Sequence, residues 1–385
     1  VRSFTISVAD ADLDDLRRRL EHVRWPDQAP GAPWSFGIPV HEVQAAVAHW
    51  RDRYDWRARE TAINRWPQFL TEAAGEQVHL IHARSPHADA TPMLLTHGWP
   101  GSFVEFLDVI GPLTDPVAHG GRAEDAFHVV VPSMPGYAFS GPTRTEGFDV
   151  ARVAEALAEV MTQLGYDRFV AQGGDWGAIV TRHLATAHAD RLLGAHFNML
   201  FAFPGPDTPD AMAGVTTAEQ ERLAAAAQRI AGGTGYMAIQ STRPQTLAYG
   251  LSDSPVGLAA WILEKFHAWS DLDPGGIATT FGWDRLLDNV MVYWLTNTAG
   301  SAARLYAESS RAGTAATDPW NGTVRVPTGH AVYPFELLQT PRAWAERRYA
   351  IVHWSEQPRG GHFAAFERPA AFVDDLRAFR RALER

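Results

Sequence analysis

Cysteine is absent from all 385 residues of the chain. That excludes disulfides, thiolate zinc sites and a cysteine nucleophile, and it agrees with a reducing compartment without requiring one. Long apolar runs are also absent: none approaches the roughly 18 residues that a membrane span needs. The opening Val1-Arg2-Ser3-Phe4-Thr5 lacks the basic-then-apolar pattern of a secretory signal, although a chain beginning with Val is compatible with a removed leader. Cytoplasm is the compartment expected. Basic residues are the minority, 34 against 44 acidic for a formal charge of −10, and they form no stripe, so nucleic acid is not an expected partner. Internal repeats and low-complexity segments are missing as well. What remains is 46% hydrophobic and 20% charged, a composition that can bury a sizeable core in one large domain with insertions or in two.

The chain is organised around Gly173-Gly174-Asp175-Trp176-Gly177. It follows the apolar run Phe169-Val170-Ala171 and precedes a helical run from Ala178 to His188, which predicts strand, sharp turn and helix. Small residues two positions either side of Asp175 fit an elbow too crowded for Cβ atoms. A carboxylate at that apex can attack an electrophilic carbon and form an ester. An ordinary helix-capping Asp accounts for the pentapeptide equally well.

Residues 1–75 read as a helical segment that wraps the rest. Asp10 is the expected cap of a helix carrying Leu13, Leu16 and Leu20 on one face, and a second helix from Val40 to Tyr54 aligns Val43, Val47 and Trp50. From Gln77 strands and helices alternate, which predicts an α/β fold with a mostly parallel sheet. Strands are expected at Val78–Ala83, Met93–Thr96, His128–Val131, Phe169–Ala171 and Leu192–Asn198. The helix from Asp149 to Gly165 has the clearest apolar stripe, with Gly165 as its terminating residue. Residues 201–319 are helical and rich in aromatics, the form of a cap over the strand ends. The sheet resumes with Val324–Pro327 and Tyr349–Val352, and a last helix runs from Pro369 to Leu383. The expected division is thus 1–75, a first core part 76–200, a cap 201–319 and a second core part 320–385.

Two further clusters carry chemistry. His97-Gly98-Trp99-Pro100-Gly101 follows the Met93 strand, and its turn can aim the Trp99 N–H at the point reached by the Trp176 N–H, making an oxyanion hole. His97 fits better as a buried histidine holding the turn than as a reacting group. Trp99, Pro100 and Trp176 are expected to wall the pocket. Gly360-Gly361-His362 follows the last strand, placing His362 where an α/β-hydrolase carries its histidine. Glu336, on the loop after the Val324 strand, is the first choice for the acid that orients it, with Asp318, Asp284 and Asp288 as competitors.

Together these motifs resemble the microsomal-type epoxide hydrolases. The likeness rests on GGDWG, HGWPGS, VPSMPGYAFSGP, GGHFAAFE, the cap stretch GYMAIQSTRPQTLAYGLSDSPVGLAAWILEKF and the later VPTGHAVYPFELL, and it extends to the N-terminal RWP element. The resemblance implies an α/β-hydrolase core, a helical cap, and epoxide hydrolysis to a vicinal diol without metal or organic cofactor. It implies Asp175 as nucleophile, Glu336 as acid, His362 as base, and Tyr236 and Tyr306 as phenols that hold the epoxide oxygen. The N-terminal anchor of the family's vertebrate members has no counterpart here, so membrane association is not expected. The partners implied are a small apolar epoxide and water, and association into a homo-oligomer is compatible with the sequence.

Two other activities are compatible with the same residues. A haloalkane dehalogenase uses the same Asp ester and His, with indole N–H donors in place of phenols, and chloride release rather than diol release would identify it. A non-catalytic sensor of small apolar ligands would keep the fold and lose the nucleophile, base or donors, and none of these is missing.

Overall fold

The computed structural model describes residues 1–205, 208, 210–314 and 322–384. Among the described residues nine strands form one sheet: β1 (Arg2–Phe4), β2 (Gln68–Ala73), β3 (Glu76–Ala83), β4 (Thr91–Thr96), β5 (Phe127–Pro132), β6 (Phe169–Gly173), β7 (Leu192–Phe197), β8 (Val324–Val332) and β9 (Tyr349–Glu356). Their order is β1-β2-β3-β5-β4-β6-β7-β8-β9. The three pairings from β1 to β5 are antiparallel, and the five from β5 to β9 are parallel. The central strands are buried on both faces, which explains the uninterrupted apolar runs Met93-Leu94-Leu95 and Val129-Val130-Val131.

The helices form where apolar periodicity and end signals agree. Val150–Gln163 buries Val150, Val153, Leu157, Val160 and Met161 as one stripe. Its start is capped by Asp149, whose carboxylate accepts from the Arg152 N–H at 3.0 Å, and its end is released by Gly165 at φ +84°. In the cap, Pro255–Ala268, Trp283–Thr296 and Ala299–Ala312 are the main helices, and Thr216 with Glu219 closes a capping box at the head of Thr217–Ala231. Among the described residues no helix is long and apolar enough to cross a membrane.

The structure differs from the sequence expectation in two places near the N-terminus. Asp10 does not cap its helix: Ala9 is the capping residue with no side-chain bond, and the Asp10 carboxylate pairs with Arg57 instead. The segment before residue 76 is also not purely helical, because β1 and β2 extend the sheet from its antiparallel edge. β2 escapes periodicity because it buries polar and apolar residues without alternation, Leu70 and Ala73 together with Gln68 and Thr71. Gln68 and Thr71 are buried, Gln68 accepting from the His79 ring at 2.9 Å and Thr71 bonding Gln163.

The N-terminal segment also ties the cap down. Arg59 Nε reaches Asp288 Oδ2 at 2.9 Å, Tyr54 donates to Asp288 Oδ1 at 2.8 Å, and the Trp50 indole N–H meets Met291 Sδ at 3.3 Å. On its surface Arg19 pairs with Asp253 at 3.1 Å, and Trp34 stacks on the His267 ring at 3.4 Å.

Several histidines are buried uncharged in this core. Burial lowers His79 from 6.5 to about 3, and His97 and His330 to about 4. The unfolded chain therefore takes up protons before the folded one as pH falls, so stability is complete above roughly pH 6.5 and is lost toward pH 4. The Tm in differential scanning calorimetry should fall across that window. Replacing His79 with Gln, which keeps a donor and an acceptor for Ser133 and Gln68, should make the fall shallower. An unchanged slope would remove His79 from the account.

Candidate active site

β6 ends at Gly173 and the helix Asp175–Ala187 begins two residues later, so the chain must reverse within Gly174 and Asp175. Asp175 meets that demand with φ +51°, a left-handed conformation that L-residues avoid. Each surrounding glycine admits a close approach. A Cβ on Gly177 would overlap the Thr96 carbonyl at the end of β4, and one on Gly173 would overlap the Gly177 carbonyl. A Cβ on Gly98 would overlap the Asp175 carboxylate itself, and one on Gly174 would overlap the Asn198 side chain. The elbow is thus a strained apex, and the capping position of its helix is held by Gly174, which has no side chain to offer a capping bond.

The HGWPG turn places a donor directly on this carboxylate: the Trp99 N–H reaches Asp175 Oδ1 at 2.8 Å. Trp176 opens the helix, where a first-turn N–H has no partner four residues back. His97 holds the turn, its Nδ1 donating to the Gly98 carbonyl at 2.9 Å while Nε2 accepts from the Met134 N–H at 3.1 Å. The peptide bond between Trp99 and Pro100 is cis, and the Pro100 carbonyl accepts from Asn289 of the cap at 2.8 Å.

His362 lies between two carboxylates. Its Nε2 is 3.2 Å from Asp175 Oδ2, and its Nδ1 is 2.7 Å from Glu336 Oε1. Glu336 Oε1 also accepts from the Leu337 N–H at 2.6 Å, which fixes the carboxylate. A bridge between Phe335 and Gly361 pins the two loops together. Burial opposes the charged imidazole, but the Glu336 charge and the bonds to Asp175 and Glu336 outweigh it and raise its pKa well above the usual 6.5. Of the competing acids, Asp288 is committed to Arg59 and Tyr54, and Asp284 to His49 at 2.7 Å. Asp318 lies outside the described residues.

The cap contributes the phenols. Tyr236 stacks on Trp99 with centroids 5.0 Å apart, Tyr306 stands edge-on to Trp176 at 4.7 Å, and the two rings are 6.0 Å from each other. Burial first, then the nearby Asp175 charge, raises Tyr236; burial, Tyr236 and Asp175 raise Tyr306 well above 10. Both therefore hold their protons at neutral pH. Trp269 joins this aromatic wall, edge-on to His362 at 5.1 Å.

Sequence reasoning missed three neighbours of this site. Glu105, Thr96 and Asn198 line the space behind Asp175 together with His362. Glu105 follows this turn, and a carboxylate four residues beyond a glycine turn carries no spacing signal of its own.

The family description "Epoxide hydrolase N terminus" matches residues 1–106, and "alpha/beta hydrolase fold" matches residues 91–299. A Stigmatella aurantiaca protein that carries the epoxide hydrolase name provisionally is 47% identical over all of this chain and 85% of its own length. Epoxide hydrolase 1 of Sus scrofa is 36% identical over all of this chain and 89% of its own. The structure of Aspergillus niger epoxide hydrolase superposes with a TM-score of 0.87 at 32% identity, covering 99% of this chain and 96% of that one.

The charge on His362 is directly measurable. With 15N-labelled histidine, its ring should remain protonated as pH rises past the usual 6.5, and Asp175→Asn should bring its titration down. A ring that titrates near 6.5 in the unaltered protein would mean that the two carboxylates do not govern it.

Proposed function

The chain belongs to the epoxide hydrolase family of the α/β-hydrolase superfamily and hydrolyses epoxides, and we propose that it does so in two steps through an ester on Asp175. The observation that carries this reading is the line Asp175–His362–Glu336, buried at His362 and Glu336 and facing two protonated phenols. Oδ1 is already engaged by the Trp99 N–H, which leaves Oδ2 to attack. The Oδ2–C bond forms as the epoxide C–O bond breaks, and the electron pair moves to the epoxide oxygen. That oxygen takes a phenolic proton from Tyr236 or Tyr306 while the other phenol donates a hydrogen bond. An unprotonated alkoxide is a far stronger base than a phenolate, so a phenol of ordinary pKa about 10 suffices.

Esterification removes the negative charge of Asp175, one of the two charges that hold His362 protonated. The imidazolium proton then returns to the phenolate, and His362 becomes a base. It takes a proton from water as the water oxygen adds to Asp175 Cγ. Negative charge collects on Oδ1, braced by the Trp99 and Trp176 N–H groups, while Glu336 stabilises the imidazolium. Collapse breaks the Cγ–Oδ2 bond, the departing oxygen takes its proton from the most acidic neighbour, and the diol leaves with Oδ2. Asp175 is again a carboxylate, and no proton is gained or lost over the cycle.

A substantial apolar substrate suits the aromatic wall formed by Trp99, Trp176, Tyr236, Trp269 and Tyr306. The phenols over Asp175 favour this activity above dehalogenation, since the Trp99 ring is stacked on Tyr236 and the Trp176 indole is packed edge-on against Tyr306.

Three measurements test the scheme. With His362→Gln the ester should form and persist, adding one substrate mass to the protein at Asp175 by peptide mapping. In a single turnover in heavy-oxygen water, the label should enter Asp175 and not the diol. Label in the first diol, with no adduct on the His362 variant, would establish direct attack by water. Tyr236→Phe and Tyr306→Phe should each slow alkylation by about 10²–10³-fold, the size of an oxyanion-donor loss. Normal alkylation in the double variant would exclude both phenols.

A further inference from the structure

Behind Asp175 lies a cavity of about 20 Å³, lined by Thr96, Gly98, Glu105, Asp175, Asn198 and His362 and closed by Phe106, Phe363 and Phe372. That is room for one water, which needs about 10–15 Å³ and two to four polar partners. Neither phenol lines it. A water here would therefore survive when an apolar epoxide displaces solvent from the aromatic side of Asp175.

The cavity is built for a polar occupant. Thr96 Oγ1 is wholly buried and has no hydrogen-bond partner among the described residues. Glu105 is 9% exposed, with its carboxyl in the place that a side chain at position 101 would take: a Cβ on Gly101 would overlap Oε1 and lie 2.5 Å from the carboxyl carbon. The two glycines of the HGWPG turn thus each admit one carboxyl, Gly98 that of Asp175 and Gly101 that of Glu105. No reaction step derived above uses Glu105.

We propose that Glu105 is the positioning residue that holds the hydrolytic water in this cavity, between Asp175 and His362, for attack on the Asp175 ester. The inference rests on the covalent scheme above. In it, the water gives one hydrogen to His362 Nε2, is gripped through its remaining groups by the Glu105 carboxyl and the Thr96 hydroxyl, and adds its oxygen to Cγ. Its proton goes to His362 as already balanced, so Glu105 neither gains nor loses one. Burial raises Glu105 to about 8; His362 and a bond from the Ser102 backbone work against this, while Asp175 and Glu367 add to it. At neutral pH the group is thus a carboxylic acid that can both donate to and accept from one water. Its charge does not compete with Glu336 for the imidazolium.

The test separates the two steps in single turnovers with styrene oxide, an apolar aryl epoxide, following ester formation and decay by intact mass. Glu105→Met, of similar volume without hydrogen bonding, should leave alkylation at the wild-type rate and slow ester decay at least about tenfold. In the steady state kcat and KM should then fall together, leaving kcat/KM unchanged, and Glu105→Gln should recover most of the decay rate. Gly101→Ala, which displaces the carboxyl without deleting it, should reproduce the Met variant. Ester decay at the wild-type rate in folded Glu105→Met or Gly101→Ala overturns the proposal. So does an equal loss in both steps, which would mark Glu105 as a support of the fold. Absence of any adduct, even in His362→Gln, would instead remove the covalent scheme on which the proposal stands.

Discussion

Crowding at the Asp175 elbow is the constraint on which the rest of the structure depends. A left-handed non-glycine residue is held at a cost of about 1–3 kcal/mol and persists only where its surroundings over-determine it. Here they do so from three strands. The parallel register pairs Thr96 with Gly173 and Gly173 with Phe197, bringing the ends of β4, β6 and β7 to one level. The Thr96 carbonyl then packs against Gly177, the Gly98 backbone against the carboxylate, and Asn198 against Gly174. The same geometry lifts the carboxylate clear of its own helix and onto the Trp99 N–H.

Charge is the second constraint, and it follows from the first. Asp175, Glu336 and Glu105 surround a single buried imidazole, and unpaired carboxylates are expensive out of water. The site balances this by keeping His362 cationic between Asp175 and Glu336 and by leaving Glu105 neutral. Glu367, also buried, is raised to about 7 although the Asp271 and Phe363 N–H groups bond to it. Such a balance is sensitive to any event that cancels one charge. The proposed esterification of Asp175 would be such an event, giving the resting site and the ester different protonation states within one frame.

The phenols depend on a contact made far from them. Tyr236 and Tyr306 belong to the cap, while everything they act beside belongs to the sheet. The cap helix Trp283–Thr296 is anchored below by Asn289 and Tyr293, which bond the Pro100 and Gly101 carbonyls at 2.8 and 2.6 Å. From the side it is gripped by Tyr54, Arg59 and Trp50 of the N-terminal segment. The segment whose residues carry no reactive group is thus a clamp that fixes the cap relative to Asp175.

Much of this was legible in the chain because its causes are local. The glycines around Asp175 and beside His362, the stripe of Val150–Gln163 and the helical run of Trp283–Thr296 each express a constraint within a few residues, and the helix and strand positions follow from them. Glu336 was the first choice for the partner of His362, but Asp284 and Asp288 stayed in competition, because the choice depends on which carboxylate other residues have already claimed. Asp10 fitted a cap locally and was taken by Arg57, which lies 47 positions away. β2 was hidden because its buried polar residues are satisfied by partners on other elements, and Glu105 because its meaning comes from the space left at Gly101. Sequence alone determined where the backbone had to turn and which reactive groups stood at the turns. Tertiary structure alone decided which groups share a buried space, since burial, and the pairing of charges it enforces, is set by segments distant in the chain.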